Sequence, residues 1–228
     1  MTAAAIGGHK VDYYDEAFVK AETDKLLGTG QTVFHIFRLD DKEGDHVRKI
    51  LALFEIARNS SVLDMGCGIG SVASIMAKER PDIAFTLLNI SQYQLELCPT
   101  NFRQIKATMT STGLLDREFD FIMYNYSIGH VDLAFAFREA DRLLKVGGSI
   151  GIYDMLAPQH INILAGFNYH VRSINTMIHI ASLLGLTLDW VKTFRTRPEW
   201  TMRHLDPEGF DFYFRGAKPI LYKFTKRR

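Results

Sequence analysis

The sequence predicts a doubly wound α/β domain: a mostly parallel seven-stranded sheet with helices on both faces, preceded by an N-terminal helical cap. Three observations carry that expectation. From Ser60 onward, short runs rich in β-branched and aromatic residues alternate with amphipathic stretches of helical length, the pattern of strand–crossover–strand units. Between the first run and the first amphipathic stretch, Gly66, Gly68 and Gly70 stand at alternate positions. At 228 residues, the chain suits one full domain with an appendage, given ~150 residues per domain.

The elements follow in order. Residues 1–45 read as a cap: residues 17–27 form a helix, Gly28-Thr29-Gly30 breaks it, and residues 32–39 make a second short element. The domain proper spans 46–228. Residues 46–57 carry Val47, Ile50, Leu51, Leu53 and Phe54 at helical spacing. Strands are expected at 61–64, 83–90, 102–107, 119–125, 149–155, 186–194 and 220–225. Helices are expected at 71–78, from 91 towards Cys98, at 132–145 and at 173–184, with Gly147-Gly148 breaking the third of these.

Composition narrows the function classes. Hydrophobic residues at 47% and charged residues at 23% fit a folded domain and exclude a disordered chain. The net charge of +1 gives no bulk attraction to a polyanion. Cys67 and Cys98 are too few for a disulfide framework, and the 8 histidines show no metal-ligand spacing. No apolar run reaches membrane-spanning length, and residues 1–10 lack a basic-then-apolar signal pattern. A soluble, cytoplasmic protein with a small-molecule substrate, no nucleic acid, no membrane and no bound metal is expected, with a homo-oligomer formed through the cap as an option.

The string Val62-Leu63-Asp64-Met65-Gly66-Cys67-Gly68-Ile69-Gly70-Ser71 joins the first strand to the first crossover helix. Its glycines allow a tight turn and close approach of a ligand to the backbone, and the helix N-terminus suits an anionic group. A dinucleotide fingerprint would be G-x-G-x-x-G; here the pattern is G-x-G-x-G with an acid two residues before the first glycine. A bare strand-to-helix turn would carry the same glycines. The string resembles the first motif of class I S-adenosylmethionine-dependent methyltransferases, whose fold is Rossmann-like. That resemblance implies S-adenosyl-L-methionine as cofactor, with Asp64, Gly66, Cys67, Gly68 and Gly70 around its methionine end. Asn89, Ile90 and Gln94 would then lie at the ribose, Thr108 and Met109 beside the adenine, and Asn125 at the end of the fourth strand. Where most such enzymes place an acid after the second strand, this chain has Asn89-Ile90-Ser91-Gln92-Tyr93-Gln94. The S-x-x-Q form resembles cyclopropane fatty-acid synthases and terpene C-methyltransferases. Ser91 would also serve simply as a helix cap.

Three further segments are similar to geranyl diphosphate C-methyltransferases: Leu27-Gly28 with residues 33–37, residues 125–133, and Arg197-Pro198-Glu199-Trp200 with Arg203. The resemblance implies carbon methylation of an isoprenoid diphosphate or related lipid, with Mg2+ carried by the diphosphate. Aromatic faces would stabilise the resulting carbocation. The terpene enzymes have a glutamate where this chain has Tyr126, and a neutral phenol is a poor base. His130, Tyr126 and Glu199 are the candidate catalytic residues, and Tyr14, His35, Tyr169, Arg172 and Trp200 the candidate substrate contacts. Core packing explains many of these aromatics equally well. O- or N-methylation of a polar metabolite and a catalytically silent cofactor-binding subunit are the alternatives. Nucleic-acid methylation comes last, since Asn125-Tyr126-Ser127-Ile128 is not an Asn-Pro-Pro-Tyr motif.

Overall fold

The computed structural model describes residues 15–156, 169–197 and 216–227. Seven strands form one sheet in the order β3-β2-β1-β4-β5-β7-β6. They are β1 (Ser61–Met65), β2 (Ala84–Asn89), β3 (Arg103–Lys106), β4 (Phe119–Asn125), β5 (Leu144–Leu156), β6 (Leu186–Thr193) and β7 (Lys218–Lys226). β1 to β5 pair in parallel, and β7 inserts antiparallel between β5 and β6. From β1 the chain adds β2 and β3 on one side, then returns to add β4 and β5 on the other. That reversal leaves a crevice beyond the carboxyl ends of β1 and β4, where open α/β sheets bind ligands.

Both faces of the sheet are covered, as its runs of buried residues require. One face packs Val47, Ile50 and Phe54 of α2 (Glu43–Phe54) and Val72, Ala73 and Met76 of α3 (Ser71–Glu79). The other packs Phe137, Ala140 and Leu143 of α5 (Leu133–Leu143) and Met177 and Ala181 of α6 (Ile174–Leu183). The cap helix α1 (Glu16–Gly28) rests on the short α4 (Gln92–Glu96). Asp15, Ser91, Asp132 and Ser173 cap α1, α4, α5 and α6 by accepting backbone N–H bonds, which sets where those helices begin.

Three expectations are corrected. Residues 32–39 form no helix or strand; instead the Glu43 carboxylate accepts from Thr32 N (3.0 Å), Val33 N (3.0 Å) and Arg38 Nη2 (3.0 Å), so a side chain satisfies what a ladder would. α2 starts at Glu43, not His46, and stops at Phe54 because Glu55 turns left-handed (φ 51°). Gly147 and Gly148 do not bound β5 but lie inside it, at a register shift between Phe119 and Phe121, with Gly147 at φ 82°. The glycines make a bulge, and the strand begins directly after α5. Among the described residues no helix is long and apolar enough to cross a membrane.

Gly151 shows how tightly β5 is packed. A Cβ there would stand 2.5 Å from Phe121 Cζ and 2.7 Å from Phe54 Cδ1, under α2. Gly151→Ala is therefore expected to lower stability by about 1–3 kcal/mol through overpacking, read as a lower urea midpoint.

Candidate functional site

The glycine turn is the floor of the crevice. Gly66 N and Cys67 N donate to Leu88 O at 2.8 and 3.0 Å, tying the turn to β2. Gly66 has φ 80°, and a Cβ on it would meet Ser127 Cβ at 2.6 Å. Ser127 in turn donates from Oγ to Met65 O at 2.5 Å, so the segment after β4 locks onto the end of β1. Gly68 (φ 55°) has only Phe34 of the cap over it, with Cδ2 at 3.5 Å from a built Cβ. A side chain at Gly66 would fill the cradle; at Gly68 it would press on the cap. The thiols of Cys67 and Cys98 both face Gly68 O, at 3.5 and 3.6 Å. Both are free and buried, and contact with Cys98, then burial, pushes the Cys67 thiol well above its ordinary value.

Beside this turn lie four buried polar atoms without hydrogen bonds: Asp64 Oδ1 and Oδ2, and Asn125 Oδ1 and Nδ2. Burial pushes the Asp64 carboxyl up to about 7, and the neighbouring Asn125 amide, close but outside hydrogen-bonding geometry, offsets this only in part. Orphaned buried groups of this kind cost stability. A cationic ligand group would satisfy the carboxylate, and the carboxamide can both donate and accept.

At the end of β2 the expected ribose residues meet one another. Asn89 Nδ2 donates to Gln94 Oε1 at 2.8 Å and to Gly68 O at 3.1 Å, and Gln94 Nε2 donates to Thr23 of α1 at 3.0 Å. Ile90 lies between β2 and the Ser91 cap. Glu16 of α1 accepts from Ser91 Oγ at 3.0 Å and from Tyr93 N at 2.7 Å. The cap helix thus closes this flank, and a diol would have to exchange bonds with a pair already joined. Thr108 bonds to Thr110 (3.0 Å), while Met109 Sδ comes within 3.4 Å of a Cβ built on Gly66.

The cap and β4 build an uncharged wall. His35 Nδ1 and His46 Nε2 stand 2.7 Å apart, and His46 Nδ1 accepts from Leu39 N at 3.1 Å. The backbone donor fixes the tautomers: His46 carries its proton on Nε2 and gives that bond to His35, whose own proton is therefore on Nε2. Burial, followed by neighbouring positive charge, holds both rings neutral, His46 at about 3. The His35 ring stacks on Tyr126 at 5.1 Å. The Tyr126 hydroxyl accepts from Phe37 N at 3.2 Å, and Tyr153 Oη donates to Phe37 O at 2.8 Å. Burial drives the Tyr126 phenol well above its normal range. It packs in this wall against His35 and Phe37.

After β4, residues 128–130 make a 3-10 turn held by the segment 169–172. Tyr169 packs on Gly129, where a Cβ would lie 2.3 Å from its ring, and its ring meets that of His130 edge-on at 4.8 Å. Arg172 donates to the carbonyls of Ile128 (3.1 Å) and Val131 (2.5 Å). Its guanidinium thereby helps hold the turn. Tyr14, Glu199 and Trp200 lie outside the described residues. Among the described residues no group of three or more His, Cys, Asp or Glu side chains gathers as for a metal.

Sequence reading missed three buried groups here: His46, Arg38 and Asp154. Arg38 reaches Glu43 through Nη2, while its Nε is buried without a partner. Asp154 was open to detection, as an acid at the carboxyl end of an otherwise apolar strand.

The sequence profile of a family described as a methyltransferase domain matches residues 63–152. Sterol 24-C-methyltransferase erg-4 of Neurospora crassa is 28% identical over 145 residues, covering 57% of this chain and 38% of that protein. The chain spans 31–38% of the length of the curated relatives it matches first. Among solved structures, geranyl diphosphate C-methyltransferase from Streptomyces coelicolor, in complex with Mg2+, geranyl diphosphate and S-adenosyl-L-homocysteine, superposes with a TM-score of 0.74. It is 16% identical and the match covers 98% of this chain and 100% of that one. The [4+2]-cyclase SpnF superposes equally well, TM-score 0.74 at 15% identity, over 92% of each chain.

The unpartnered Asp64 gives a direct test. A cationic ligand requires its ionised form, so affinity for S-adenosylmethionine is expected to weaken as pH falls through about 7. Asp64→Asn should remove that pH dependence and weaken binding roughly 30-fold or more, measured by calorimetry. The same substitution should stabilise the ligand-free protein at high pH. The native carboxyl binds its proton more tightly than the unfolded one, so stability falls as pH rises from about 4 towards 7.

Proposed function

From the match of residues 63–152 to a methyltransferase domain and the shared fold, we propose that this chain is a class I S-adenosylmethionine-dependent methyltransferase that methylates a small, partly apolar acceptor. The best candidate is an isoprenoid diphosphate or related lipid, methylated at carbon. The observation that carries the reading is the orphaned pair Asp64 and Asn125 beside a glycine cradle. Few ligands present both a compact ammonium for the carboxylate and a carboxylate for the turn; the methionine end of S-adenosylmethionine does.

In this reading Asp64 and Asn125 take the ammonium, and Gly66, Cys67, Gly68 and Gly70 bring backbone close to the amino-acid end. Asn89 and Gln94 take the ribose hydroxyls, with Ile90 beside them, and Thr108 and Met109 border the adenine. When bound, the cofactor supplies a methyl group already activated on a sulfonium. The chain's task is then to orient a nucleophile in line and keep water out. Phe34, positioned over Gly68, and the neutral stack of His35, Tyr126 and Tyr153 offer such a water-excluding wall. Aromatic faces suit a cationic transition state. His130 borders this space, and Tyr14, Glu199 and Trp200 are assigned to it from sequence alone. The likeness to the geranyl diphosphate enzyme and the sterol enzyme favours an isoprenoid acceptor. Mg2+ would enter with a diphosphate.

One observation favours a second reading. The neutral Tyr126 supplies no base to quench a carbocation, and an acceptor methylated at oxygen or nitrogen forms none. Labelled methyl transfer to a panel of prenyl diphosphates, sterols, amines and carboxylic acids, with and without Mg2+, separates the two. Product on a prenyl diphosphate that requires Mg2+ is expected. Transfer only to oxygen or nitrogen acceptors, with no Mg2+ requirement, would replace the carbon reading.

A further inference from the structure

One buried carboxylate on the acceptor side has no role in the scheme above. Asp154 lies one residue beyond the paired Asn125 and Tyr153 at the carboxyl end of β5. It is therefore level with Tyr126, which directly follows the neighbouring strand β4. Its two oxygens differ: Oδ1 accepts from Tyr169 Oη at 2.6 Å and from Met155 N at 2.7 Å. Among the described residues Oδ2 accepts no hydrogen bond, although the residue is buried. Two bonds on one oxygen fix the carboxylate's orientation and leave the other oxygen available.

We propose that Asp154 is the proton acceptor of the transfer reaction, taking at Oδ2 the proton that the acceptor molecule loses. The proposal rests on the transferase reading above. With an alkene acceptor, the π electrons form the new carbon–methyl bond while the carbon–sulfur pair stays on sulfur. The carbocation so formed loses a proton from the adjacent carbon to Oδ2, and that C–H pair becomes the new double bond. With an oxygen or nitrogen acceptor, the O–H or N–H proton goes to the same atom. In either case the carboxylate becomes neutral as the sulfonium charge disappears, and charge balances.

Tyr126, Tyr153 and His35 make poorer bases. The Tyr126 and Tyr153 phenols are held protonated by burial. His35 presents a ring nitrogen that already carries its proton. The groups facing Asp154 are Tyr126 after β4, Tyr153 on β5, Tyr222 on β7, and Tyr169 and Arg172 from the segment before α6. Of these only Arg172 is charged, and its donors are engaged by the carbonyls of Ile128, Val131 and His170. Burial, partly offset by Tyr169 and Met155, sets the carboxyl at about 6, a strength suited to proton transfer near neutral pH.

The test compares the full-length protein with Asp154→Asn, Asp154→Glu and Tyr169→Phe. For Asp154→Asn, calorimetric affinity for S-adenosylmethionine should stay within about twofold, while kcat falls ~10²–10⁴-fold. Asp154→Glu should recover part of that loss. Wild-type kcat/KM should drop as pH falls through about 6. Tyr169→Phe should move that limb to higher pH, because the lost hydrogen bond favours the ionised form. Infrared difference spectra, wild type minus Asp154→Asn, should show a protonated carboxyl band titrating near the same pH. Unchanged kcat in Asp154→Asn would overturn the proposal. So would a carboxyl that remains ionised down to the ordinary range of about 4, the mark of a structural partner for Arg172. If the wild type methylates nothing in the panel, the transferase reading fails, and the infrared titration still decides whether Asp154 is a poised base.

Discussion

The site depends on a charge that the fold does not compensate. Asp64 occupies β1, the central strand from which the sheet grows in both directions, and its carboxylate is buried without a hydrogen bond. Such a group normally neutralises itself or is lost to a better-packed residue. Its neighbours explain how it persists here. Ser127 and the glycine turn are locked to the strand ends by Ser127 Oγ to Met65 O and by Gly66 and Cys67 to Leu88 O. Among the described residues no donor hydrogen-bonds the carboxylate, and Asn125 stops short of it. In the proposed reading a cationic ligand group would satisfy this carboxylate, so that binding would offset the cost of burying it.

The cap follows the opposite logic, since nearly all of its polar groups are satisfied within the protein. Glu43 holds residues 32–38, Glu16 takes the donors at Ser91 and Tyr93, and Thr23 takes the Gln94 amide. Tyr93 also hydrogen-bonds Asp24 and lies under Lys20 at 4.3 Å. Most of these contacts are side chain to side chain. Single bonds of this kind contribute about 1 kcal/mol each, so the cap is held by many weak, exchangeable contacts. In the proposed reading, a cap that must admit and release a cofactor would suit that kind of attachment.

Much of the fold was legible in the sequence because its signals are local. Residues 119–125 were delimited as a strand in full, and the caps Ser91, Asp132 and Ser173 stand where helices begin. The glycine turn was equally readable, since alternate glycines after a strand demand a tight turn. What escaped detection depends on contacts between distant segments. Nothing near residues 32–39 says that Glu43 will bond their backbone, and His46 reads as a surface residue of a helix until His35 and Leu39 N appear beside it. Asn89 and Gln94 were placed at the ribose, but their mutual bond is visible only in three dimensions. Gly147 and Gly148 signal a break in any local reading, whereas pairing with β4 converts the break to a bulge.

The likeness to a [4+2]-cyclase and to a C-methyltransferase at the same TM-score shows that this sheet does not by itself choose a reaction. The choice falls to the groups around the acceptor, and here they divide by side. On the cap side the imidazoles of His35 and His46 are kept neutral by a backbone donor, burial and the nearby Arg38 charge. On the strand side a lone carboxylate, Asp154, is oriented by one tyrosine and its own backbone neighbour. A positive charge developing between them meets π faces on one side and a negative oxygen on the other. On the proposal made for Asp154, protons would leave towards β5, with the acceptor's reacting atom facing Asp154 and its apolar body against Tyr126 and Phe34.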